Sequence, residues 1–206
     1  ASLRSFDAVS VREYQGIAIL NDMDIQGTWV LDPVFLLPTE QWRTFANQGL
    51  LKRKSESDRY LLIYDFEGNS LLKQSAIEYA KKHQLKIYAI TDTYPQRYAD
   101  RNFRSAGPIE FVQMIAGCEA FMSNSFHGPA FSIIFHKPFF VFERHRHAVN
   151  SRMESLLRLF GLENRLIGDS QSTSIAEIDW MKVDEVRKKE LSKSVAFLSQ
   201  IGVRPK

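Results

Sequence analysis

The chain has 206 residues, 44% of them hydrophobic, and a formal net charge of +3 in which 27 basic and 24 acidic side chains are interspersed. That size allows a full core in one domain, and so small an excess of positive charge argues against a dedicated nucleic-acid binder. No run approaches the roughly 20 apolar residues of a membrane-spanning helix, and the single Cys118 excludes an internal disulfide, so a soluble protein of the reducing cytoplasm is expected. The chain opens on Ala1 with no basic-then-apolar leader, which points to one domain of a longer protein.

Residues 6–11 are rich in strand formers and alternate, so a strand is predicted that ends at Arg12 and Glu13. Ligands of open parallel sheets gather at strand C-termini. Arg12 therefore has two open roles, a ligand contact or a surface ion pair with an acid. Residues 28–31 form another short extended run, closed by Asp32 before Pro33, where a turn or cap role is the default for the carboxylate. Thr39, Trp42, Phe45 and Ala46 suggest a short capped helix, and residues 52–58 a charged loop.

From residue 59 the pattern becomes regular. A buried strand at 59–64, a helix at 70–83 capped by Asn69 and a strand at 85–90 make one βαβ unit. Residues 91–106, with three arginines and two tyrosines, read as a loop with two open roles, holding an acceptor or covering the sheet edge, the second being the default. Gly107-Pro108 opens a helix that runs through Gly117.

The central stretch follows: an apolar strand at 120–122, a turn of Ser123, Asn124, Ser125, Phe126, His127 and Gly128, then a helix at 130–135 with Pro129 at its first position. The first amides of a helix lack intrahelical acceptors and meet the positive end of its dipole, a ready anion site. The serines and Asn124 supply caps, Gly128 permits close backbone approach, and His127 lies where an anion would sit. Residues 137–142 form a further strand that leads into a charged tract with Arg144, His145 and His147. Asn150 caps a helix at 152–160 that ends on Gly161. A polar connection at 173–180 and an amphipathic helix at 183–200 close the chain.

Strands alternating with helices predict a doubly wound, mostly parallel Rossmann-like sheet with helices on both faces. Arg12, His127 and the basic residues from Arg144 to Arg152 then converge on one rim, able to hold a small polyanion. The chain has no GxxxxGK[ST], GxGxxG or GxSxG element and no closed zinc-site spacing, which argues against a nucleoside triphosphatase, a dinucleotide domain, a serine hydrolase and a metal centre.

Five short motifs in order resemble the polysaccharide pyruvyl transferase family: Ser10-Val11-Arg12-Glu13; Asp32-Pro33-Val34-Phe35-Leu36-Leu37; the segment from Ser123 to Ser132 with its His127-Gly128 pair; Lys137-Pro138-Phe139; and Asn150-Ser151-Arg152 ahead of Leu156-Leu157 and Gly161-Leu162. The resemblance implies the C-terminal half of a two-domain protein of the GT-B type. It implies a cytoplasmic transferase without a cofactor that moves a pyruvyl group from phosphoenolpyruvate to two hydroxyls of a sugar, as a ketal, in exopolysaccharide or capsule synthesis. The acceptor would be a sugar or a lipid-linked oligosaccharide, with peripheral membrane association through it.

His127 matches the family's histidine, and Arg12 its donor-binding arginine. Ser125 stands where many members carry a second arginine, and Arg152 is the candidate to replace it. The implied substrate-binding set is thus Arg12, Ser123, Ser125, Phe126, Gly128, Asn150 and Arg152, with His127 catalytic. A GT-B glycosyltransferase using a nucleotide sugar and a non-catalytic carbohydrate-binding module stay open as alternatives.

Overall fold

The computed structural model describes residues 2–49, 58–91, 94–144, 150–168 and 177–202. The N-terminal stretch runs through β1 (Ser10–Val11), α1 (Tyr14–Asp22), β2 (Thr28–Trp29), a 3-10 turn at Pro33–Phe35 and α2 (Thr39–Ala46). The wound portion follows as β3 (Tyr60–Tyr64), α3 (Ser70–His83), β4 (Lys86–Ile90), β5 (Arg101–Phe103), α4 (Pro108–Gly117), β6 (Ala120–Ser123), α5 (His127–Ile134), β7 (Phe139–Phe142), α6 (Ser151–Phe160), β8 (Leu166–Ile167) and α7 (Trp180–Gln200).

All pairings in the six-stranded sheet are parallel, in the order β5-β4-β3-β6-β7-β8. This is the Rossmann-like doubly wound arrangement that the alternation predicts. Side chains alternate across it as a strand period of two requires. Leu61, Ile63, Ala89, Met122 and Phe142 pack with Leu72, Ala76 and Ala80 of α3 on one face. Leu62, Phe121, Phe139 and Val141 pack on the other face with residues of α4, α5 and α6. The chain winds one way from β3 to β5, then returns to lay β6 beside β3. The topological switch point therefore lies between β3 and β6, where such folds open a crevice beyond the strand ends.

Several expectations are corrected. The strand expected at 6–11 is only Ser10–Val11, and it pairs with Thr28–Trp29 in a separate two-stranded sheet. Phe6 is exposed, and with no apolar partner on the next strand there is nothing to extend β1. Helix α1 escaped the pattern because Gly16 weakens its helical signal and Glu13 at the cap position makes no side-chain cap bond. Strand β5 sits inside the segment read as a loop, because an edge strand of Arg101, Asn102 and Phe103 shows no apolar run. Residues 52–57, His145, His147 and half of the connection at 173–180 lie outside the described residues.

Other local signals hold. Asn69 accepts from the Leu72 amide and caps α3, and Gly161 takes the left-handed conformation (φ 66°) that ends α6. Among the described residues no helix is long and apolar enough to cross a membrane.

Candidate active site at the carboxyl rim of the sheet

The turn after β6 is built by its own side chains. Ser123 Oγ donates to Tyr64 O at 2.6 Å and accepts from the Ser125 amide at 2.9 Å. Ser125 Oγ in turn accepts from the Gly128 amide at 3.2 Å, so Ser125 caps α5 as expected. Asn124 reaches across the switch point, accepting from the Phe66 amide and donating to Asp65 Oδ1. Asp65 itself holds its loop by accepting from the amides of Glu67 and Asn69. Ser123, Asn124, Ser125 and Asp65 thereby each have partners, which locks the loops after β3 and β6 to one another.

This geometry revises the anion nest. Helix α5 begins at His127, so Pro129 is its third residue and not its first. Pro129 has no amide proton and the Gly128 amide is already taken, which leaves the helix start a weaker anion site than the sequence suggests. Ser123 is fully buried with its hydroxyl committed to the protein, and Asn124 is buried likewise. Gly128 approaches protein rather than ligand: a Cβ there would stand 2.1 Å from Phe121 Cε1. We expect Gly128→Ala to destabilise the fold by roughly 1–3 kcal/mol through overpacking against that buried ring. Alanine's helix preference over glycine, about 1 kcal/mol, has the opposite sign. Chemical denaturation of the variant reads which effect wins.

The cationic groups meet around one ring. Phe126, nearly buried, has the Arg12 guanidinium carbon 5.4 Å and the Arg152 guanidinium carbon 5.7 Å from its centroid. The His127 ring lies 5.3 Å from the same centroid, edge to face. Such cation–π contacts hold guanidinium planes without consuming their donors. Residues 140 positions apart in sequence are brought together by two stitches: Ser151 Oγ donates to Glu13 Oε2 at 2.9 Å, and the Tyr14 amide donates to Ser155 Oγ at 3.3 Å. No local signal announces either stitch.

Of the two roles weighed for Arg12, the ion pair is present and leaves part of the side chain open. Its guanidinium pairs with Asp32 at 2.5 Å, yet 37% of the side chain stays exposed. Asp32 is buried and caps the following 3-10 turn through the Val34 amide, the structural role expected of it. Asn150 stands at the start of α6 but makes no side-chain cap bond. Its amide instead accepts from the Arg144 backbone N–H and donates to Arg144 O, closing the loop that brings α6 to the rim.

His127, like Arg12, is exposed. Its imidazole is pushed below its ordinary pKa chiefly by the partial loss of water around the ring; the Asp32 carboxylate opposes this shift, while Arg12 and Arg152 add to it. Neutral imidazole is therefore the favoured form near pH 7, with a lone pair to accept a proton.

Beside His127, at the switch point, opens a cavity of about 480 Å3. Its walls are aromatic: Trp42, Phe45, Tyr64, Phe66, Phe111 and Phe131, joined by Ser125 and His127. Arg12 and Arg152 are not among its lining residues. The aromatics come from four separate segments, so the sequence shows them only as scattered core candidates. The one available hint is Tyr64-Asp65-Phe66, placed directly after a strand end.

Among the described residues no three histidine, cysteine, aspartate or glutamate side chains cluster as a metal site. The architecture is thus a Rossmann-like domain whose carboxyl rim presents an exposed histidine between a pair of arginines and an aromatic cavity. Comparison with known families places it further: a model of the polysaccharide pyruvyl transferases matches residues 1–146, and the chain belongs to that family. It is accordingly a transferase, acting on a sugar or polysaccharide acceptor. The matched span contains Arg12, Asp32 and the whole turn from Ser123 to Gly128, whereas Asn150 and Arg152 lie beyond it. A search of curated proteins finds no match.

Proposed function

We propose that the protein transfers the three-carbon unit of phosphoenolpyruvate to two hydroxyls of a sugar, forming a pyruvate ketal and releasing inorganic phosphate. The observation that carries this reading is the meeting of two guanidiniums and an exposed imidazole around Phe126. Phosphoenolpyruvate bears a carboxylate and a phosphate, and two arginine forks suit two such groups.

In the chemistry this implies, one sugar oxygen bonds to the central carbon of the enol as the terminal methylene gains a proton and becomes a methyl group. The second sugar oxygen then displaces phosphate from the same carbon, so one hydroxyl proton ends on carbon and the other leaves with the phosphate. His127 accepts the proton of an attacking hydroxyl, Arg12 and Arg152 hold the acid groups, and the Ser125 hydroxyl faces the substrate. Ser123, Phe126, Gly128 and Asn150 support these groups from behind. No cofactor takes part in this scheme.

The proposal extends to a GT-B-like arrangement in which a second domain closes over the open rim. It also includes a lipid-linked acceptor met at the cytoplasmic membrane surface. Calorimetric titration of the full chain tests the core of it. Phosphoenolpyruvate should bind while nucleoside diphosphates and nucleotide sugars do not; the reverse selectivity would favour a nucleotide-sugar glycosyltransferase.

A further inference from the structure

We infer that the aromatic cavity at the switch point is the acceptor subsite, and that it takes a neutral pyranose by its C–H face with the reacting hydroxyls turned toward His127 and Ser125. The inference rests on the pyruvyl-transfer reading for the need of a sugar, and on three observations for its place. First, the rim around His127 is built in two chemically different halves. Arg12 and Arg152 lie against Phe126, whereas the cavity has no lysine, arginine or carboxylate among its described lining residues.

Second, the lining rings form angled walls instead of one flat patch. Tyr64 is tilted on Phe66 with centroids 4.4 Å apart, Phe111 meets Tyr64 edge to face at 5.5 Å, and Trp42 meets Phe131 the same way at 4.8 Å. Phe66 is 40% exposed, an apolar surface left open at the mouth. Third, the volume of about 480 Å3 falls within the roughly 300–1,000 Å3 of small-molecule sites.

A pyranose matches these features because it carries hydroxyls around its edge and a patch of weakly positive C–H bonds on its face, which lies well on the negative face of an aromatic ring. The polar groups that line the cavity, Ser125 and His127, then meet the hydroxyl edge. An acidic sugar fits less well. An arginine beside Phe66, Arg144, lies 5.1 Å over that ring and is already paired with Glu67 at 2.9 Å. A uronate carboxylate would have to lose water without gaining an unpaired cation among the described lining residues.

The division also makes geometric sense of the reaction. Donor and acceptor meet beside His127, where the imidazole takes the proton of the hydroxyl as its oxygen bonds to the enol carbon. An aromatic floor keeps water from competing for that carbon.

Saturation-transfer NMR on the full chain tests this, irradiating aromatic protons and observing methyl glycosides of galactose, glucose and mannose, with methyl glucuronide for comparison. Saturation should reach the ring C–H protons of at least one neutral glycoside and exceed that for the glucuronide. Phe66→Ala should weaken that glycoside's binding by roughly fivefold to tenfold, and Phe66→Tyr should restore it. The inference is overturned by no transfer to any neutral glycoside, by equal binding in Phe66→Ala, by preference for the glucuronide, or by displacement of the glycoside with uridine. Phosphoenolpyruvate binding, measured by calorimetry in the same proteins, should be unchanged by Phe66→Ala. Absence of glycoside binding in the unsubstituted protein, with phosphoenolpyruvate still bound, counts against the acceptor subsite alone. Absence of phosphoenolpyruvate binding in the unsubstituted protein, with glycosides still bound, counts against the donor assignment alone.

Discussion

His127→Gln should lower the turnover of pyruvyl transfer by roughly 10²–10⁴-fold, the usual contribution of a positioned acid or base, while phosphoenolpyruvate affinity changes only a few-fold. The separation is expected because the donor's charges are assigned to guanidiniums, and His127 contributes a lone pair rather than a charge. Glutamine is close in size and polarity at this exposed position at the start of α5, so a folding defect does not confuse the result. Full turnover in this variant would remove His127 from the mechanism.

The pH dependence has a definite sign. Because the folded protein holds the imidazole below its ordinary pKa, the base form persists to lower pH than for a free histidine. Titration of the His127 ring by NMR should place its midpoint below 6.5, the ordinary value. Arg152→Gln should move it upward by removing a neighbouring positive charge, whereas Asp32→Asn should move it further down. The same shift links to stability: the unfolded chain takes up this proton first as pH falls through the ordinary value toward the folded one, so the His127 contribution declines over that window.

Loss of the guanidiniums is expected to act on donor binding instead. Arg152→Ala should weaken phosphoenolpyruvate binding by about tenfold to a hundredfold, the worth of a hydrogen-bonded charged contact. Arg12→Ala should do the same and also lower stability by about 1–3 kcal/mol, because it strands the buried Asp32 carboxylate. Calorimetry and denaturation of both variants separate these effects: Arg152→Ala should alter binding alone, and Arg12→Ala should alter binding and stability together. Unchanged binding in both variants would dissolve the proposed clamp.

Much of this molecule was legible locally. Strands β3, β4, β6 and β7 announce themselves as apolar runs because parallel strands buried on both faces need nothing else. The Asn69 cap and the Gly161 stop likewise follow from backbone chemistry confined to a few neighbours. Family resemblance at His127-Gly128 is of the same short range.

What local reading gets wrong here are the purposes of side chains whose partners lie far along the chain. Gly128 reads as room for a ligand, but it exists to admit the Phe121 ring. Asn150 reads as a helix cap, yet it fastens the Arg144 backbone. That Arg12 and Arg152 share one rim is legible from their places at strand ends, but the contact itself waits on the stitches from Ser151 to Glu13 and from Tyr14 to Ser155, which draw α6 against the N-terminal segment. The aromatic cavity likewise forms only when β6 returns beside β3. Backbone conformation follows from nearest neighbours. A cleft is a meeting of surfaces, and which surfaces meet is settled by the free energy of packing the whole sheet.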